Sequence, residues 1–368
     1  MRQAFVHHIV TAGPDDVSGL IQRIEAGEIE PAAIKAILGK TEGNGCVNDF
    51  TRGYAVQSLR TALSKWLDSA GLDRIAKVMS GGTEGGLSPH ILVFEARENG
   101  NPPADDDRKM ALALAVAQTV PMRPEMIGRR AQALAVADAV RAAMTEACVD
   151  GPENVHYVQI KCPLLTAARI DEAAARGETV ATTDTLKSMG LSRGASALGV
   201  AVALGEVDPD AVTDEAIAED MSLHSSRASC SAGVELMQNE ILLLGNSLSW
   251  SGDLVIGHDV MADAIDSHAI YRTLETVGLT ANRQLDDEQR TSLKAVLAKA
   301  EADPTGAIRL ARHTMLDDSD IASTRHARAL VGGVLAGIVG HTDLFISGGA
   351  EHQGPQGGGP VAVIRSLD

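Results

Sequence analysis

Aromatic side chains make up only 2% of this chain, and cysteines number four: Cys46, Cys148, Cys162 and Cys230. So few aromatics leave no stacking platform for single-stranded nucleic acid, and a formal net charge of -17 opposes binding to phosphate backbones, so nucleic acid is excluded as a partner. The cysteines have neither CxxC nor Cys/His ligand spacing, which argues against a zinc centre and a disulfide framework and reads as reduced thiols of a cytoplasmic protein. No stretch reaches the roughly 18 to 20 apolar residues that span a bilayer. The first residues, Met1 to Val10, contain two histidines and no long apolar run, so neither export nor membrane insertion is expected.

What is present in quantity is apolar aliphatic sequence. With 368 residues, 45% of them hydrophobic, the chain can bury a substantial core in two or three domains. Self-similarity organises it. Three apolar, strand-like runs each end in lysine: Ala33 to Lys40, Val155 to Lys161 and Leu293 to Lys299, the last also readable as helix from its alanines. After each lysine a Ser/Thr-Arg pair opens an alanine-rich amphipathic stretch, at Thr51-Arg52, Ser192-Arg193 and Thr324-Arg325, which predicts three helix starts. Arginine in a first turn faces the positive end of the helix dipole, so its repetition points to a task other than stability. Each unit closes on Ser-Gly/Ala-Gly-x-Glu (Ser80 to Glu84, Ser231 to Glu235, Ser347 to Glu351), followed by an apolar strand at His90, Glu240 or Pro360.

The expectation is an α/β (α+β) fold of three similar units with pseudo-threefold symmetry about a central site, spanning 1–103, 104–249 and 250–368. The boundaries fall in the polar, Gly/Pro-containing stretches Asn99 to Asp107 and Asn246 to Asp253. The Ala-rich stretch Lys109 to Cys148, broken at Pro121 and Pro124, and the shorter Asp214 to Asp220 are expected to be surface or interdomain helices.

A structural duplication would keep a turn glycine, but it does not call for lysine, arginine and a hydroxyl in the same order each time. A serine beside a small residue offers a hydroxyl and accessible backbone N–H groups to a carbonyl or oxyanion, and arginine brings a planar fork of donors to the same oxygen. Three such sets suit a small flat ring with several carbonyls. No Ser/His/Asp spacing accompanies the serines, so lysine is the candidate base, provided burial and nearby cations lower its pKa. Glu42 and Glu301 stand two residues beyond Lys40 and Lys299 and are expected to hold those lysines cationic, whereas Lys161 is followed by Cys162 and Pro163. That comparison nominates Lys161 as base and Ser231 as nucleophile.

The motifs Gly39-Lys40-Thr41-Glu42-Gly43-Asn44-Gly45-Cys46-Val47-Asn48-Asp49 and Met79 to Gly85, with Ser192 to Ala195, the Ser231 turn and Ser347 to Gly359, resemble the cyanuric acid hydrolase / barbiturase family over the whole chain. The resemblance implies three similar units around a central site and hydrolytic opening of a cyclic imide without an organic cofactor. It places Ser231 and Lys161 as nucleophile and base, with Lys40 and Lys299 as the other dyad lysines. Substrate contacts are expected from Arg52, Arg193 and Arg325, and from Ser80, Gly81, Ser231, Ala232, Ser347 and Gly348. It also implies a structural divalent cation, magnesium or calcium, held by Glu301, Ala350, Gln353, Gly354, Pro355 and Gly358, an oxygen-only set that suits a hard ion. A homotetramer is implied as well. Cyanuric acid is favoured as substrate partly because Cys46 resembles the cyanuric acid hydrolases. Barbituric acid also has three carbonyls and stays open, as does a non-catalytic binder of cyclic imides. A Ser-Lys peptidase would need S-x-x-K, which none of the three turns has.

Overall fold

The computed structural model of the protein describes residues 1–98 and 109–368. The expected boundary at Asn99 to Asp107 therefore lies outside the described residues. Three sheets share one strand order. In the first, Arg2–Val10 (β1), Ile34–Thr41 (β2), Ala76–Gly81 (β3) and His90–Glu98 (β4) lie as β3-β2-β4-β1. The second holds Ala111–Gln118 (β5), Val155–Pro163 (β6), Ala228–Gly233 (β7) and Glu240–Ser247 (β8) as β7-β6-β8-β5. Trp250–Ser251 (β9) then joins the first sheet, in parallel beside β1. The third sheet contains Leu254–Met261 (β10) and Leu293–Ala300 (β11). After a small hairpin of Ala307–Ile308 (β12) and Ala311–Arg312 (β13), it is completed by Phe345–Gly348 (β14) and Gly359–Ser366 (β15), in the order β14-β11-β15-β10.

The helices are Ser18–Glu25 (α1), Phe50–Leu63 (α2), Ser69–Arg74 (α3), Arg130–Ala147 (α4), Ala167–Ala175 (α5), Thr185–Ala203 (α6), Ser267–Thr276 (α7), Asp287–Ser292 (α8) and Ser323–Val339 (α9). In each unit the lysine strand (β2, β6, β11) is parallel to the serine strand (β3, β7, β14) and antiparallel to the unit's last strand. A parallel pair needs a crossover, which α2–α3, α5–α6 and α9 supply. The lysine strands are buried on both faces, which is why IKAILGKT and VHYVQIKCP show apolar runs rather than alternation.

All three sheets feed the largest apolar cluster. Leu38 and Phe94 come from the first, Tyr157 and Leu243 from the second, and Leu297 and Phe345 from the third. Helices close the outer faces, as Leu20, Leu59 and Leu63 do against Ile37 and Val93, and Val331 and Leu335 do in the third unit. No helix among the described residues is long and apolar enough to cross a membrane.

Several expectations are corrected here. The first half of Lys109 to Cys148 is the buried strand β5 (ALALAVAQ), and only its second half is helix; alanine's helix propensity yields to a site buried between neighbouring strands. Asp214 to Asp220 forms turns, not a helix. Ser192-Arg193 lies inside α6, whose N-cap is Asp184, and α2 is capped by Asp49. Leu293 to Lys299 is strand, its alanines packed inside the third sheet.

Candidate active site

Strand register creates the Lys/Ser pairs. Lys40 is the register partner of Ser80, Lys161 of Ser231 and Lys299 of Ser347, each across a parallel pair of strands. The three lysines are almost completely buried, and the serines are buried as well. Every ammonium also crosses to a neighbouring unit and donates to the carbonyl that precedes that unit's serine. Lys40 Nζ reaches Ile346 O at 2.7 Å, Lys161 Nζ reaches Met79 O at 2.8 Å and Lys299 Nζ reaches Cys230 O at 2.9 Å. This cyclic exchange is the pseudo-threefold relation in atomic form.

The glutamates of the Ser-Gly/Ala-Gly-x-Glu motif follow the same cycle. Glu84 takes a two-pronged contact from Arg328, Nε to Oε2 at 2.8 Å and Nη2 to Oε1 at 2.6 Å. Glu351 takes the same contact from Arg193, at 2.8 and 2.6 Å. The third pairing would join Glu235 to Arg52, and it is not made. Lys161 Nζ instead stands 2.9 Å from Glu235 Oε1. Arg52 donates to the carbonyls of Ala232 (3.0 Å) and Cys46 (2.7 Å), and its Nε has no hydrogen-bond partner.

A small cavity of about 20 Å³ lies between these elements, lined by Arg52, Arg193 and Arg328, Ser80, Ser231 and Ser347, Gly81, Ala232 and Gly348, with Gly45 and Met189. Ser231 Oγ and Ser347 Oγ are 2.8 Å apart inside it. In this form the space is enough for about one water, so a ring would bind by moving the side chains that line it. Small residues after the serines are needed sterically: a Cβ on Gly348 would stand 2.6 Å from Arg328 Nη1. A wider cleft, lined by Cys46, Lys187 and the starts of α6 and α9, shares Gly45, Met189, Arg193, Arg328 and Gly348 with the cavity.

Burial pushes all three lysines below the ordinary ammonium range. For Lys40 burial is reinforced by Arg328; Lys299 is brought to about 7 by burial and Arg193. Burial also lowers Lys161, against the opposing pull of Glu235. Burial alone would raise Glu84, Glu235 and Glu351, but their cationic partners outweigh it and keep all three ionised.

Two expectations about the site are revised. Arg325 does not line the cavity: it is about a third exposed and touches Glu84 from outside at 3.2 Å, while Arg328, three residues further on the same helix face, is buried and takes the place. The Thr-Arg pair was a misleading landmark because its match to Ser192-Arg193 is not a match of helix position. The reason given for favouring Lys161 also fails. Glu42 lies beyond the end of β2 and is exposed, and Glu301 lies beyond β11, accepting from the N–H groups of Ala302 and Ala350. Lys161 is the dyad lysine that has a carboxylate. Sequence reasoning assigned no role to Glu84, Glu235 and Glu351, although their recurrence four residues after each serine was the available signal.

Near the third serine, Glu301 is half-buried and raised above the usual carboxylate range, by desolvation and then by Glu351. Its hydrogen bonds come from backbone N–H groups alone. Gln353 Oε1 accepts from Cys230 N at 2.6 Å, and Gly354, Gly357 and Gly359 have positive φ. The described residues contain no group of three or more His, Cys, Asp or Glu side chains arranged for a metal. Glu301 offers a carboxylate of the kind a hard cation takes, whereas Glu351 is committed to Arg193 and Gln353 Oε1 to Cys230 N.

The family of ring-opening amidohydrolases matches residues 5–366. A cyanuric acid amidohydrolase of Azorhizobium caulinodans is 58% identical over 99% of this chain and 98% of its own, and one of a Bradyrhizobium sp. is 56% identical over 99% and 98%. Among solved structures, the cyanuric acid hydrolase of A. caulinodans superposes with a TM-score of 0.92 at 56% identity, covering 100% of this chain and 99% of that one. Another, described as a cyanuric acid hydrolase that arose by structural concatenation, gives 0.93 at 48% identity over 100% of both chains.

Proposed function

Because the chain belongs to the family of ring-opening amidohydrolases, we propose that it hydrolyses cyanuric acid to carboxybiuret, which can lose CO₂ to give biuret. The observation that carries the reading is the cage itself: three Lys/Ser register pairs, with the three serines and three arginines converging on one small shared cavity. Ring carbonyls would be held by the serine hydroxyls and guanidinium groups, which fixes the geometry of attack before chemistry begins.

Ser231 Oγ adds to one ring carbonyl, and neutral Lys161 takes the hydroxyl proton. The developing oxyanion is stabilised by the Ser231–Ala232 turn and by Arg52, whose Nη1 already reaches Ala232. The ring C–N bond then breaks, and the Lys161 ammonium protonates the leaving nitrogen. Water hydrolyses the acyl-enzyme. Lys40 and Lys299 already reach Ser80 (3.4 Å) and Ser347 (3.2 Å), whereas Lys161 is turned to Met79 O and Glu235, so the choice of Ser231 and Lys161 rests on the family resemblance and requires Lys161 to swing to its serine. Ser80, Ser347, Arg193 and Arg328 take the positioning role.

A divalent cation, magnesium or calcium, would be held by Glu301 with oxygens of Ala350, Gln353, Gly354, Pro355 and Gly358. It would brace the Ser347 turn and supply no step of the reaction. The three sheets support division into units 1–103, 104–249 and 250–368, and the family resemblance supports a cytoplasmic homotetramer. Side-by-side turnover of cyanuric and barbituric acid, followed by ring absorbance with wild type and Ser231→Ala, tests the reading. Turnover of cyanuric acid alone, lost in the variant, is expected. Turnover of barbituric acid alone would reassign the substrate, and no turnover of either ring by folded protein would replace the hydrolase with a binder.

A further inference from the structure

The three units are equivalent at the lysine-to-carbonyl contacts, at the strand register and at two of the three Arg–Glu pairs. They differ at Glu235. Cyclic equivalence assigns that carboxylate to Arg52, as Glu84 is assigned to Arg328 and Glu351 to Arg193. Arg52 is close enough for its charge to act on both Glu235 and Lys161, and its buried Nε has no hydrogen-bond partner, with Asp49 Oδ2 3.9 Å away. Glu235 has turned to Lys161 instead, in an ion pair at 2.9 Å. One carboxylate thus stands between two cations, a guanidinium that stays charged and an ammonium that does not have to.

We propose that Glu235 is a positioning residue that follows the charge of Lys161, pairing with it as the ammonium and passing to the vacant Arg52 Nε when Lys161 is the neutral base. The inference rests on the reading of Ser231 and Lys161 given above. No covalent bond changes at Glu235. The proton moves from Ser231 Oγ to Lys161 and later from Lys161 to the leaving nitrogen, while the carboxylate stabilises the ammonium that exists between those two events. In the other two units the equivalent glutamate is bound through both oxygens to its arginine and favours its lysine's charge only through space, without a direct ion pair.

The charged and titratable groups facing the pair come from several elements. They are Arg52 on α2, with Asp49 at the N-cap of that helix facing its Nε, Cys162 on β6, Arg169 on α5 and Glu240 on β8, with Lys77 on β3 beyond Glu240. Glu235→Gln leaves all of these in place and removes only the charge that favours the ammonium. Lys161 then loses its proton at lower pH and becomes a weaker base.

The test is the pH dependence of kcat and kcat/KM on cyanuric acid for wild type, Glu235→Gln, Glu235→Asp and Glu84→Gln, with Ser231→Ala as the check on the underlying reading. Ionisation of the substrate itself is common to all variants and cancels in the comparison. The acidic limb of kcat/KM is expected to move down by about 1 pH unit or more in Glu235→Gln, with a plateau kcat lower by on the order of tenfold. Glu235→Asp should keep the limb at its wild-type position, and Glu84→Gln, which loosens Arg328, should raise KM without moving it. An unmoved limb in Glu235→Gln, with Ser231→Ala inactive, overturns the inference and leaves the reading intact. Turnover by Ser231→Ala removes the reading and the inference together.

Discussion

Replacing Arg328 by alanine separates the two arginines of α9 most sharply. Arg328 is buried, forks onto Glu84 and lines the cavity, whereas Arg325 is about a third exposed and makes one contact to the same carboxylate at 3.2 Å. A hydrogen bond from a charged group to a ligand is worth about 1.5–3 kcal/mol. Its loss in Arg328→Ala corresponds to a fall in kcat/KM of about 10- to 150-fold. Glu84 would also lose its main partner in a site where burial already disfavours its charge, so folding stability should drop alongside activity. Arg325→Ala removes a partly solvated contact worth about 0–1 kcal/mol and should leave kcat/KM within a factor of about five. Arg328→Lys should recover little, since an ammonium cannot offer the carboxylate and the ligand separate edges of a fork. Initial rates from the loss of ring absorbance, with thermal melts on the same samples, measure both effects. If Arg325→Ala loses as much activity as Arg328→Ala, the arrangement of α9 described here is wrong.

Three further outcomes follow from the packing. In Gly81→Ala the new Cβ would stand 1.8 Å from Asp49 Oδ2, so Asp49 must leave its contacts to Gly45 N and Thr51 N. The start of α2 and Arg52 should shift with it, at a cost of about 1–3 kcal/mol in denaturant unfolding and with a raised KM. His90 is buried and its pKa is depressed to about 3, by burial foremost, from an ordinary 6.5. Its contribution is present above pH 6.5 and is lost as the pH falls from there toward 3, because the unfolded chain takes up the proton first. His90→Gln should therefore flatten the acid limb of the stability curve by up to about 1.4 kcal/mol per pH unit. Chelation should lower the melting temperature by about 2–4 °C if the Glu301 loop holds a cation, with recovery on adding magnesium or calcium; Glu301→Gln should melt lower and ignore the chelator.

The triplication and the recurring lysines and serines were legible in the chain because they are written locally. An apolar run ending in lysine, and a hydroxyl followed by two small residues and a glutamate, each specify a strand end within a few positions, and the parallel crossover between them does the rest. That is why Lys40, Lys161 and Lys299 could be matched to Ser80, Ser231 and Ser347 without coordinates, and why the register confirms the pairing. Local pattern failed where burial overrode it. The alanine-rich β5 reads as helix until neighbouring strands enclose it, and Ser192 reads as a cap until α6 is seen to begin at Thr185.

Tertiary structure alone decided which unit serves which. Lys40 meets Ile346 across 306 residues of chain, and Arg328 meets Glu84 across 244, distances over which spacing carries no information. The expectation for Lys161 looked for its carboxylate two residues along the strand. The carboxylate that reaches it arrives from the turn after its partner strand, at Glu235, while Arg52 from another unit stands beside them both. A sequence can state that three lysines, three arginines and three glutamates recur, but only the packing of the three sheets determines that one of those glutamates, Glu235, pairs with a lysine.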